Sequence, residues 1–217
     1  SHIDGIDRIR YTTSHPIDFS PDLISEYKNP KLANNLHLPI QSGSDLILSK
    51  MKRKHTVLEY KSIIRKVRDI RPDIHLSSDF IVGYPGESNH EFQKTLDFIS
   101  ELNFSDAYSF IYSPRPGTPA AQEFDDLSDK VKFDRLKELK DLVKQQSLNY
   151  LKKMLGKTER VLVEGVSLKR STEVFGRTDN NKVINFSGNR ELIGKFIDVR
   201  IDEMRANTLH GTYLSVS

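Results

Sequence analysis

Residues 74–92 read Ile-His-Leu-Ser-Ser-Asp-Phe-Ile-Val-Gly-Tyr-Pro-Gly-Glu-Ser-Asn-His-Glu-Phe. The apolar, β-favouring run Phe80-Ile81-Val82 breaks off in Gly83-Tyr84-Pro85-Gly86. A helix start follows at once, with Ser88 as its cap and Glu91 at the capping-box spacing. A buried strand that turns through glycine and proline into a capped helix is half of a βαβ unit. Because α/β folds place ligands at the carboxyl ends of such strands, this turn is the first candidate site.

The same grammar extends to both sides. Alternation over 6–12 predicts a strand, and Ser20-Pro21-Asp22 opens a short helix. A strand over about 35–40 enters the polar loop Gln41-Ser42-Gly43-Ser44-Asp45, followed by a short helix through Met51. Thr56 and Glu59 form another capping box ahead of Tyr60, Ile63, Ile64 and Val67 at helical spacing. Downstream, 106–112 alternates as a strand and runs into Ser113-Pro114-Arg115-Pro116-Gly117-Thr118-Pro119, too rich in proline for regular structure. A long helix spans about 128–155. Four strand–loop–helix units predict a parallel sheet covered by helices. Four units are half of an eight-strand barrel, which would leave 6–12 as an unprotected edge inviting self-association. On this reading the chain is a fragment with units missing upstream.

At Gly156 the pattern changes. Segments 160–166, 173–177, 182–186, 196–202 and 209–216 are short strand candidates without helical period, which predicts a small closed β-barrel of oligonucleotide-binding type. The expected fold class is therefore α/β: a partial parallel β/α barrel over 1–155 and a five-stranded all-β barrel over 156–217.

Composition narrows the chemistry. The 217 residues are 36% hydrophobic and 29% charged with a net charge of +3, a globular balance that permits nucleic acid without arguing for it. No segment is apolar enough for a membrane span, and the opening Ser1-His2-Ile3-Asp4 does not read as a basic, then apolar, signal peptide. Cysteine is absent, which excludes disulfides, a thiol nucleophile and Cys-ligated clusters within this chain. The seven histidines show no metal-ligand spacing, so no metal residue is assigned. No catalytic nucleophile or phosphate loop stands out.

Three places carry candidate binding chemistry. The loop with Gln41, Ser42 and Ser44 offers an amide and hydroxyls beside Gly43, suiting a ribose or an amino-acid group, although solvated loops share that composition. Backbone groups of Ile81 to Gly83 could meet a flat base, while a tight turn without ligand is the competing reading. Arg53 can clamp a carboxylate bidentately or simply be solvated. In the barrel, Lys169, Arg170, Arg177 and Lys182 with Phe175 and Phe186 mix cations with stacking surfaces, as RNA binders do. Taken singly, each phenylalanine is more simply core.

His37-Leu38-Pro39-Ile40-Gln41-Ser42-Gly43-Ser44, Met51-Lys52-Arg53, Ser78-Asp79-Phe80-Ile81-Val82-Gly83-Tyr84-Pro85-Gly86-Glu87 and Arg115-Pro116-Gly117-Thr118-Pro119-Ala120 occur in this order. Together they closely resemble the radical S-adenosylmethionine methylthiotransferases, and Gly176 to Phe186 resembles the TRAM domain of the tRNA-modifying branch. The resemblance covers essentially the whole chain. It implies S-adenosylmethionine as cofactor and two [4Fe–4S] clusters held by cysteines that this chain lacks. It implies methylthiolation at C2 of N(6)-dimethylallyladenosine beside the tRNA anticodon, at position 37, in the cytoplasm.

Carried over by position, Gln41, Ser42, Ser44 and Arg53 would face the ribose and methionine parts, and Asp79, Ile81 and Gly83 the adenine. The superfamily's acid on this strand falls one place late, at Glu87, which weakens a direct adenine role for it. Arg115 is a candidate to meet the substrate, and Lys169, Arg170, Arg177, Asn181 and Lys182 the RNA. Without cluster ligands, the chain alone is expected to be inactive. The competing readings are a methylthiotransferase acting on a ribosomal-protein aspartate and a non-catalytic RNA-binding module.

Overall fold

The computed structural model describes residues 3–12, 14–122, 127–167, 170, 172–206 and 208–216. The chain divides into two compact units, 1–32 with 36–147, and 148–217 with 33–35.

The first unit is built on three strands, β1 (Asn35–His37), β2 (His75–Val82) and β3 (Asp106–Ile111), in the order β1-β2-β3. β2 and β3 pair in parallel, with Asp79 opposite Tyr108 and Ile81 opposite Phe110. The ladder of β1 ends early for a local reason. Pro39 has no N–H to give, and the N–H of Ile40 goes to Ser78 Oγ (3.0 Å), whose hydroxyl donates to Leu38 O (2.8 Å). Tyr60 OH also donates to Leu38 O at 2.8 Å. Side chains thus replace the missing rungs until Gln41 bridges Phe80.

The unit's helices are α1 (Pro21–Ser25), α2 (Asp45–Lys50), α3 (Val57–Ile70), α4 (Asn89–Leu102) and α5 (Asp129–Lys152), and α1, α3 and α4 begin at the start signals read from the sequence. Ser20 caps α1, and Thr56 with Glu59 closes a full capping box on α3. Ser88 caps α4 as expected, but Glu91 does not reach back to complete a box. Its carboxylate accepts instead from Ser44 Oγ, 47 residues earlier. The buried stripes Tyr60-Ile64-Val67 of α3 and Phe92-Leu96-Ile99 of α4 join Leu38, Ile40, Leu76, Phe80 and Val82 in one core.

The strand predicted over 6–12 does not form. The segment makes one isolated bridge, Ile9 to Leu32. Ile9 and Tyr11 pack on the core, and Tyr11 OH lies 3.1 Å from Tyr27 OH. Alternation supplied the faces but no neighbouring strand supplied a ladder. The sheet therefore has three strands, and the edge invoked for self-association at 6–12 is absent.

In the second unit β4 (Thr158–Val166), β5 (Glu173–Arg177), β6 (Val183–Ser187), β7 (Phe196–Arg205) and β8 (Thr208–Val216) close as β4-β5-β6-β8-β7. All pairs are antiparallel except β6 with β8. Val161, Val163, Val174, Ile184, Phe186, Ile197, Val199, Ile201 and Leu209 fill the interior. Closure is tight. A Cβ on Gly176 would collide with Leu162 O, and one on Gly211 with Arg200 O.

Candidate functional site

At the carboxyl ends of β1 to β3 lies a cavity of about 710 Å³. Gln41, Arg53, Asp79, Ile81 and Arg115 line it, so five residues singled out in the sequence come together there. Gln41 holds φ at +84°, a left-handed conformation that non-glycine residues seldom adopt. Arg53 donates from Nη2 to Pro39 O at 2.9 Å, while its buried Nε has no partner. Burial pushes the Arg53 pKa down, and the Asp79 carboxylate opposes that shift.

Ser42, Ser44 and Gly83 do not line the cavity. Ser42 and Ser44 are fully buried. Ser42 Oγ lies 3.3 Å from Thr95 Oγ1, and Ser44 Oγ caps α2 at Ile47 N (3.2 Å) besides meeting Glu91. Gly83 donates its N–H to Glu87 Oε2 (2.7 Å), and a Cβ there would press into Lys132. These three residues hold the loops in place. Some of the backbone groups expected to greet a base are also spent: Ile81 N goes to Gln41 O, and Val82 O receives Tyr112 N.

Glu87, almost fully buried, accepts from Gly83 N and from Arg135 Nη1 at 2.8 Å. Burial raises its pKa, and the Gly83 N–H and Arg135 pull it back. These bonds pin α5 to the turn.

Lys50, Tyr84, Phe110 and Tyr112 also line the cavity and were not singled out in the sequence. Alternation over 106–112 puts Tyr108, Phe110 and Tyr112 on one face. Only the parallel register, which brings Phe110 beside Ile81, identifies that face as the ligand side. Tyr112 stacks edge-on against Tyr84, with centroids 4.8 Å apart.

In the barrel, the β5–β6 hairpin gathers Arg177, Asn181 and Lys182. Arg177 pairs with Glu164 (3.2 Å) and reaches Asn181 Oδ1 (3.3 Å). Lys182 Nζ stands 5.7 Å from the Tyr150 ring centroid. Asn180 Nδ2 donates to Tyr150 OH at 3.0 Å and stiffens the turn. Arg170 is exposed and pairs with Glu173 at 3.0 Å. Lys169 lies outside the described residues. Phe186 is core, whereas Phe175 stays half-buried.

Family models for the radical SAM superfamily match residues 2–99, and for the TRAM domain residues 152–214. A tRNA-2-methylthio-N(6)-dimethylallyladenosine synthase from Photorhabdus laumondii is 57% identical over 96% of this chain, which covers 44% of that protein. The chain belongs to the radical SAM methylthiotransferase family. Synthases of the same name from Photobacterium profundum and Salmonella enteritidis are 56% and 55% identical over the same 96% of this chain, which again spans 44% of each. The chain thus spans less than half the length of these curated relatives. Coproporphyrinogen III oxidase from Escherichia coli, a radical SAM enzyme, shares the fold at a TM-score of 0.53 and 16% identity, over 79% of this chain and 46% of that one.

Proposed function

We propose that this chain supplies one wall of the S-adenosylmethionine pocket and the RNA-gripping barrel of a cytoplasmic tRNA methylthiotransferase. The observation that carries the reading is the cavity at the strand ends, where Gln41, Asp79, Ile81 and Arg53 converge. Asp79 and Gln41 offer acceptors to ribose or amine donors, Ile81 and Phe110 an apolar surface for a base, and Arg53 a guanidinium for a carboxylate. Bound there, S-adenosylmethionine would supply the adenosyl and methyl groups of the reaction. The relatives' printed name gives the reading its substrate, N(6)-dimethylallyladenosine in tRNA. On this reading Arg115 meets that substrate, and Arg170, Arg177, Asn181 and Lys182 hold the RNA. In this assignment 1–155 is the partial barrel and 156–217 the RNA-binding domain.

Iron–sulfur clusters do not fit the residues of this chain. It contains no cysteine, and no group of three His, Asp or Glu among the described residues is arranged to hold a metal ion. The chain alone is therefore expected not to methylthiolate RNA. Equilibrium dialysis with labelled S-adenosylmethionine tests the pocket. Binding that Arg53→Ala and Asp79→Asn each weaken is the expected result, and binding indifferent to both would overturn the assignment.

A further inference from the structure

The open face of the sheet has a second layer beneath the cavity, made by residues one rung nearer the strand starts. His37 lies there. Its Nδ1 is 3.0 Å from Ser77 Oγ, and its Nε2 faces Asp79 Oδ1 at 3.5 Å. The Tyr108 ring stands edge-on to the imidazole, with centroids 5.9 Å apart. If the Ser77 hydroxyl donates to Nδ1, the ring proton sits on Nε2 and points at the carboxylate. Asp79 meanwhile lines the cavity and keeps its side chain 27% exposed.

We propose that His37 is a positioning residue. It holds the Asp79 carboxylate aimed at a hydrogen-bond donor, a ribose hydroxyl or an exocyclic amine, of a nucleoside in the cavity. This rests on the nucleoside reading given above. The logic is that of a histidine behind a ligating carboxylate. An unheld Asp would swing among rotamers, or fold onto Arg53, whose charge already acts on it. Ser77 fixes one nitrogen, Tyr108 walls the ring on the β3 side, and the other nitrogen orients Asp79. The groups facing the imidazole are thus Ser77 and Asp79 from β2 and Tyr108 from β3.

Calorimetric titration of the chain with S-adenosylhomocysteine, and with adenosine, provides the test. His37→Ala is expected to weaken both probes about tenfold, as loss of one charge-assisted hydrogen bond would. His37→Gln, which keeps an N–H near the Nε2 position, should restore most of the affinity. In the double variant His37→Ala with Asp79→Asn, the loss should not exceed that of Asp79→Asn alone, since both act through one carboxylate. A purely structural histidine would give additive losses and no rescue by glutamine, which would overturn the positioning role. Failure of the unaltered chain to bind either probe would instead overturn the nucleoside reading.

Discussion

The three-stranded sheet packs one face on α3 and α4 and leaves the other, with Asp79, Ile81, Tyr108 and Phe110, open. The five barrel strands instead close on themselves and bury their whole inner row. The strands of both units alternate in sequence, so alternation alone does not separate them. The difference is what happens to the second face. In the barrel, the inward residues are apolar, Phe186 among them, and the outward row mixes charged and polar side chains with the exposed Tyr213, Leu214 and Val216 of β8. In the open sheet, exposed aromatics coexist with a full core behind them: Tyr108 is 61% and Phe110 55% exposed, while Phe80, one position before Ile81, is fully buried. On the proposed reading, this apolar exposure beside the cavity is surface kept for the nucleoside.

The largest test of this contrast targets the buried ion pair that secures α5 to the turn. Arg135→Met leaves Glu87 charged and unpaired and is expected to cost about 3–5 kcal/mol. Hydrogen exchange should show the loss in the first unit while barrel amides stay protected. The sign with pH follows from the raised Glu87 pKa. The folded protein takes up this proton before the unfolded chain does as pH falls, so acid relieves the buried charge. Removing Arg135 raises that pKa further, and the defect of the variant should shrink on acidification through the carboxylate range. A defect that grew in acid would contradict the placement of Glu87.

A smaller effect is expected in the barrel. Gly176→Ala forces a methyl against the backbone of β4 and should cost about 1–3 kcal/mol, read by the same exchange experiment but confined to barrel amides. The smallest belongs to the open face. Phe110→Ala removes an exposed ring and should change stability by no more than about 0.5 kcal/mol, while still weakening the adenosine probe. A loss of several kcal/mol there would mean the face is core.

Much of this was legible in the sequence because it is local. Capping at Ser20, Thr56 and Ser88, the turn at Gly83 and Gly86, and the five short barrel strands depend on residues a few places apart. What the sequence left illegible lies at long range. Residues 6–12 have the right alternation, but a strand is a relation between two segments, and the partner is absent among the described residues. Ser42 and Ser44 have the side chains a ribose site needs. Whether a hydroxyl meets a ligand or a helix end depends on Thr95 and Glu91, about fifty residues away. His37 escaped notice for the same reason: its meaning comes from Ser77 and Asp79 across the sheet.

The backbone of Gln41 carries a consequence for which substitutions the position tolerates. A left-handed glutamine costs roughly 1–2 kcal/mol against an ordinary conformation. Glycine would shed that strain and lose about 0.5–1 kcal/mol to its own chain entropy. Selection for folding alone would therefore accept glycine at this lip of the cavity. Selection for ligand capture would insist on the amide. A library screened both ways would separate at position 41, turning one dihedral angle into a record of what the loop is kept for.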